Sequence, residues 1–141
     1  MIWKVKPTLE DAHIFSSKHI GDHLGIAITE VGDDYIKGTM PVDHRTVQPF
    51  GLLHGGASCV LAETLGSVGG LFCVDQEKYR VVGIEINANH IRGVNKGFVT
   101  GTASPVYIGK TIHVWEIKIV NPKEQMVCIS RLTLAVHRKV Y

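Results

Sequence analysis

Cysteine is scarce in this chain. Cys59, Cys73 and Cys128 are an odd number and form no C-x-x-C. That argues against a disulfide framework and a thiolate zinc site, and it fits a reducing cytosol. An excess of one charge is also missing. Lys plus Arg number 15 and Asp plus Glu 13, a formal +2, with no run of like charges and no polybasic tail. A general nucleic-acid binder needs more than that. The opening stretch, MIWKVKPTLEDAHIF, has no apolar run of signal-peptide length. No G-x-S-x-G elbow occurs and no cluster has metal-ligand spacing. Serine-hydrolase and metal-hydrolase chemistry thus lack their signatures, and no bound metal is expected.

The rest is ordinary globular material. The 141 residues are 45% hydrophobic and 20% charged, which suits one domain over 1–141. A chain of this size buries on the order of 70% of its unfolded surface, enough for a core without staples. Thr8, followed by Glu10 and Asp11, marks a helix start. Strand-like runs over 26–31 and 35–42 flank Gly32-Asp33-Asp34, a hairpin-type turn. A helical pattern covers about 56–74, with Val60, Leu61, Leu65, Val68, Leu71 and Phe72 on one apolar face. Cys59, Glu63, Ser67 and Gly70 form a second, narrow face. Four further strands are expected over 81–91, 97–106, 111–120 and 126–137, all rich in Val, Ile and Thr. One long helix for about six strands predicts an α+β domain in which an antiparallel sheet wraps the helix.

Glu63 needs an explanation. Over 51–74 it is the only side chain ionised at neutral pH. A membrane span is excluded by six glycines in that stretch and by the cost of a central acid in lipid. Burying a lone carboxylate is expensive. Either it pairs with a cation at a seam between subunits, or it does chemistry in a dry cleft. Ser67, four residues on, lies on the same helix face and within hydrogen-bonding reach. At the start of the helix, His54-Gly55-Gly56 offers free N–H groups and a partial positive charge. A carbonyl oxygen against the Gly55 N–H would be polarised as in an oxyanion hole; the glycines equally suit a tight turn. Gly55 and Glu63 are eight residues apart, about 12 Å of helix. If both act on one carbonyl, two copies of the helix must lie side by side and antiparallel.

The string from Gln48 through His54-Gly55-Gly56 to Glu63 and Ser67 resembles the hotdog-fold acyl-CoA thioesterases. Within them it is most similar to the PaaI-like branch, which includes 1,4-dihydroxy-2-naphthoyl-CoA and benzoyl-CoA thioesterases. The similarity extends through Met40 to Arg45, Ile86 to His90 and the C-terminal strands. The resemblance implies hydrolysis of an aromatic acyl-CoA, with Glu63 as nucleophile or general base. Gly55 N–H would polarise the thioester oxygen. Gln48 would donate to the thioester or orient water, His54 would position it, and Ser67 would hold Glu63 or the water. It also implies a dimer with shared sites, pairing further into a dimer of dimers. Coenzyme A would enter as part of the substrate, with no separate cofactor. By family position its tail would lie on Val82, Gly83, Asn89, His90, Arg92, Gly109 and Lys110; Arg92 and Lys110 have the chemistry to hold phosphate. The remaining histidines, His19 and His113 among them, are read as structural or surface groups. Two other readings stay open: a proofreading thioesterase acting on an aryl-loaded carrier protein, and a non-catalytic acyl-CoA-binding module.

Overall fold

The computed structural model describes residues 1–140. The chain begins with two short helices, α1 (Leu9–Ser16) and α2 (Ile20–His23). Strands β1 (Ala27–Val31) and β2 (Ile36–Pro41) follow, then the long helix α3 (Gly55–Phe72). Four strands complete it: β3 (Tyr79–His90), β4 (Phe98–Ile108), β5 (Ile112–Val120) and β6 (Met126–Arg138). The expected element order holds throughout, with the boundaries of the long helix and the strands moved by at most two residues. Thr8 caps α1 as its sequence implies. Its hydroxyl accepts the Asp11 N–H at 3.1 Å, and the Asp11 carboxylate accepts the Thr8 N–H at 2.9 Å.

The six strands form one antiparallel sheet in the order β1-β2-β4-β5-β6-β3. The sheet packs on α3, which gives the α+β arrangement expected. β1 and β3 are its edges, so one side of the long β3 is unpaired among the described residues. Val82 and Ile84 lie exposed along it, 41% and 57% accessible.

Helix and sheet meet by exchanging volume. Leu61 and Leu65 are fully buried. Leu65 sits over Gly38 of β2 and Gly101 of β4, which pair across the ladder; a methyl group on either would come within 2.8 Å of it. In return, α3 presents glycines where the sheet is bulky. A methyl at Gly66 would meet Leu132 at 2.6 Å, and one at Gly69 would meet the Trp115 ring at 2.7 Å. Close packing of this kind leaves little slack on either side. Leu61, Leu65, Val68 and Phe72 of the expected apolar face are buried, but the buried face extends beyond the one read from the large side chains. Val60 and Leu71 are only half-buried, whereas Gly66, Gly69 and Gly70 are buried. Gly70, expected beside Glu63 on the polar face, packs on Leu134, His113 and Trp115 instead. A hydrophobicity pattern does not register glycine as a packing residue, so it cannot see this face. No helix among the described residues is long and apolar enough to cross a membrane.

Candidate active site

The loop before α3 is tightly organised. Gln48 N–H donates to Leu52 C=O at 2.8 Å and Gly51 N–H to Gln48 C=O at 2.9 Å, with Gly51 at φ +79°. A left-handed backbone there suits glycine. Phe50 is left at the tip, 89% exposed. His54 N–H donates to Thr46 C=O at 2.8 Å, which ties the loop to the end of the β2 connection. His54 then caps α3, its Nδ1 accepting the Gly56 N–H at 2.8 Å. The proton of a neutral ring thus belongs on Nε2, which is left as a donor. Of the first helical amides, Gly56 is satisfied in this way while Gly55 has no partner among the described residues. The Gln48 side-chain oxygen accepts the Phe50 N–H, leaving its amide NH2 free to donate.

Four of the five candidate catalytic residues fall into two separate clefts on one chain, and His54 lines neither. Gln48, Gly55, Ser58, His90 and Arg92 line one of about 270 Å³. His90 lies directly against the helix start: a methyl at Gly55 would approach its Nε2 to 2.6 Å. Sequence reading gave His90 to the coenzyme A tail, but its ring also borders the Gly55 amide. The second cleft, about 350 Å³, lies between α1–α2 and α3. Glu63, Thr64 and Ser67 line it on one side, with Phe15, Ile20, Val60 and Val68 as apolar walls. Phe15 is braced by an edge-to-face contact with Phe72, ring centres 5.7 Å apart. His19 reaches the same cleft. Nothing in the sequence marked it, because its position depends on how the two short helices dock on α3.

Glu63 is half-buried, and its carboxylate has neither hydrogen bond nor ion pair among the described residues. The expected bond to Ser67 is therefore not formed: Ser67 lines the same cleft with its hydroxyl free. No cation of the same chain pairs with Glu63 among the described residues. Gly83 of β3 lies immediately against the Glu63 carboxylate, where any side chain would intrude. The register of β3 on β6 slips between Gly83 and Glu85, and this bulge turns the bare glycine toward the helix. Burial pushes the Cys59 thiol up, and the Glu63 carboxylate adds to that. Burial likewise holds Cys73 up at about 12 and Cys128 at about 11. Raised thiols of this kind make poor nucleophiles.

The positions assigned to the coenzyme A tail do not converge within one chain. Val82 pairs with Ala135 and so aligns with Ile112, at the end of the sheet that carries the Gly109-Lys110 turn. His90 pairs with Cys128 at the opposite end. Gly83 and His90 are seven strand residues apart, roughly 23 Å at 3.3 Å each. Asn89 and His90 also point to opposite faces, since side chains alternate along a strand. Asn89 joins Asn87, Glu116 and Arg131 in a shallow cleft away from the Gly55 one.

Comparison with known proteins adds three findings. The model of the Thioesterase superfamily matches residues 50–128. The chain is 49% identical to the 1,4-dihydroxy-2-naphthoyl-CoA hydrolase of Escherichia coli, over 96% of this chain and 99% of that one. It is 48% identical to the proofreading thioesterase EntH of Cronobacter turicensis, over 96% and 98%. Its fold superposes on a mutant thioesterase of Pseudomonas aeruginosa with a TM-score of 0.96 and 46% identity, covering 99% of this chain and all of the other.

Proposed function

The chain belongs to the thioesterase superfamily as a hotdog-fold thioester hydrolase, and from that premise we propose that it hydrolyses aromatic acyl-CoA at a site completed by two copies. The observation that carries this is the division of the candidate machinery. Gly55, Gln48 and His90 share one cleft, and Glu63 and Ser67 share another. The α3 rise between Gly55 and Glu63, about 12 Å, exceeds the span of one carbonyl group. The unpaired edge of β3 gives the second copy a place to dock. It is long, carries exposed Val82 and Ile84, and passes directly beneath Glu63 at Gly83. An antiparallel pairing of two such edges would set the Val82–Gly83 end of one copy near the Asn89–His90 end of the other. That would also reunite the scattered tail positions.

In this reading the acyl group enters the Phe15–Ile20–Val60–Val68 cleft, whose apolar walls suit an aryl ring better than a charged chain. The partner's Gly55 N–H and the Gln48 amide donate to the thioester oxygen. As general base, Glu63 takes a proton from a water, whose oxygen attacks the carbonyl carbon. The C–S bond then breaks, and the thiolate of coenzyme A leaves and takes up the proton. As nucleophile, Glu63 would instead form a mixed anhydride that water hydrolyses. Ser67 orients the water in the first route. The resemblance to the naphthoyl-CoA hydrolase favours coenzyme A as the carrier; the likeness to EntH favours a second reading, aryl groups on a carrier protein.

The test is thiol release from benzoyl, hydroxyaryl, short and long aliphatic acyl-CoA, with wild type and Glu63→Ala side by side. Aryl-selective release that falls about 10²–10⁴-fold in the variant is expected for a lost base. Near-wild-type turnover by Glu63→Ala overturns the site, and a preference for long aliphatic chains overturns the substrate class. Release from aryl-loaded carrier protein alone would select the second reading.

A further inference from the structure

The cleft between α1–α2 and α3 has two unlike walls. The α3 wall carries Glu63 and Ser67, the groups given to the chemistry. The facing wall is Phe15, Ser16, His19, Ile20 and Gly21. The remaining polar groups differ in what they have left to offer. Ser16 donates its hydroxyl proton to His13 C=O at 3.1 Å, and Thr64 donates its own to Val60 C=O at 2.6 Å. The His19 ring has neither hydrogen bond nor ion pair among the described residues. It stands at the cap position of α2, yet its side chain does not cap that helix. No Lys or Arg lines the cleft, and Glu63 repels an anion placed there.

The turn that presents His19 is held from both sides. Lys18, just before it, has a left-handed backbone at φ +64°, uncommon for a residue with a side chain. Its N–H donates to the Asp22 carboxylate at 2.5 Å. His19 C=O accepts the N–H groups of Asp22 and His23, at 3.1 and 3.4 Å. Gly21 then lies so close to the end of α1 that a methyl group there would come within 2.5 Å of the Ser16 carbonyl oxygen. Its own C=O accepts the Ile26 N–H at 2.8 Å, just before β1. The second helix is thereby seated on the first without slack, and His19 keeps a fixed place on the cleft wall.

We propose that His19 is a specificity-determining residue that hydrogen-bonds a neutral hydroxyl on the acyl ring, remote from the thioester. This rests on the aryl-thioester reading above, and it gives a role to a residue that the sequence had left as a structural or surface group. Neutral imidazole offers one donor and one acceptor, and a phenol offers the same pair, so either partner can donate. A carboxylate on the ring would find no cation in the cleft and would face Glu63. With the carbonyl held at Glu63, a hydroxyl at the ring 2-position stays beside Glu63 and Ser67. One at the 3- or 4-position lies farther from them, where the α1–α2 wall supplies His19 as its free hydrogen-bonding side chain.

The test compares benzoyl-CoA with its 2-, 3- and 4-hydroxy derivatives, using wild type, His19→Leu and His19→Gln. The readout is the kcat/KM of each hydroxy substrate divided by that of benzoyl-CoA, a ratio that a general loosening of the cleft leaves alone. For the 3- or 4-hydroxy substrate wild type should give a ratio of about tenfold, the effect of one net hydrogen bond. Leucine has no polar atom, so His19→Leu should bring that ratio to within about twofold of unity. Glutamine keeps a donor and an acceptor, so His19→Gln should hold it at about threefold or more. The 2-hydroxy ratio should not move. The proposal is overturned by no preference in wild type, by a ratio that survives His19→Leu, by an equal loss in His19→Gln, or by a fall shared with the 2-hydroxy substrate. If no aryl-CoA is hydrolysed, the acyl-CoA reading fails by itself. The cleft is then judged by calorimetry with coenzyme A thioethers of phenacyl and of 3- and 4-hydroxyphenacyl groups, which have no thioester bond to hydrolyse. A preference for a hydroxyphenacyl ligand that His19→Leu abolishes supports the contact; equal affinities, or no binding, overturn it.

Discussion

Replacing Gly83 with alanine should separate activity from stability. The new methyl group would overlap the Glu63 carboxylate oxygen and lie 3.4 Å from its Cδ carbon and 3.8 Å from Leu132 Cδ1. Only the first contact is prohibitive, and it is with the far end of a flexible side chain. Glu63 would swing away at a rotamer cost of about 0.5–1.5 kcal/mol. Strand propensity gained on leaving glycine offsets roughly 0.5–1 kcal/mol of that. The fold should therefore lose at most about 1 kcal/mol, a shift of a few degrees in Tm. Activity has no such compensation. Displacing a reacting group by about 1 Å can cost 10²-fold, which is about 2.7 kcal/mol at 1.36 kcal/mol per decade. Thiol-release kinetics on an aryl-CoA, with thermal melts of the same samples, measure both quantities. A kcat/KM within threefold of wild type would refute the reasoning, because it would mean that the orientation of Glu63 over β3 does not matter. A Tm loss above about 8 °C would refute the packing argument instead.

Gly69→Ala should show the opposite profile. Its methyl would sit 2.7 Å from the buried Trp115 ring, which cannot move aside, so overpacking should cost about 1–3 kcal/mol in chemical denaturation. Arg92→Ala should raise KM for acyl-CoA by about tenfold while leaving kcat nearly unchanged; an unchanged KM removes it from the site. His113 is 1% exposed, and burial holds its imidazole pKa below the usual value. The folded state then binds fewer protons than the unfolded one, so stability should fall as pH drops below about 6.5 and level off below the folded pKa. A His113→Leu variant should flatten that slope in denaturant titrations at pH 7.5, 6.5 and 5.5, and an unaltered slope would assign it to other groups.

The acid sensitivity expected of His113 has a structural basis. Its Nδ1 and the Trp115 Nε1–H are both buried without a hydrogen-bond partner. Both lie near Gly70, where a methyl would be 3.4 Å from the first and 3.7 Å from the second. Protonating Nδ1 would place a second donor beside the indole donor in a dry space, which adds to the cost of burying a charge.

The sequence alone determined the parts. The β-branched runs, the turn residues and the Thr8 cap are local signals, and each strand formed within two residues of where they put it. The fixed spacing from Gly55 to Glu63 is likewise a property of helical rise, and it separated the two clefts before any contact was known. Tertiary structure alone decided what faces what. Whether Gly70 would lie beside Glu63 or beneath Trp115 depends on which side of α3 the sheet approaches, and glycine carries no hydrophobic signal to reveal it. Gly83 under Glu63 and His90 against Gly55 depend on the register of β3 on β6 and on a one-residue bulge. His19 and Glu63, 44 residues apart in sequence, line one cleft only because the two short helices dock on α3. Periodicity records the face a residue presents within its own element. Contacts between distant elements follow from register and docking, which are set by the packing of the whole core.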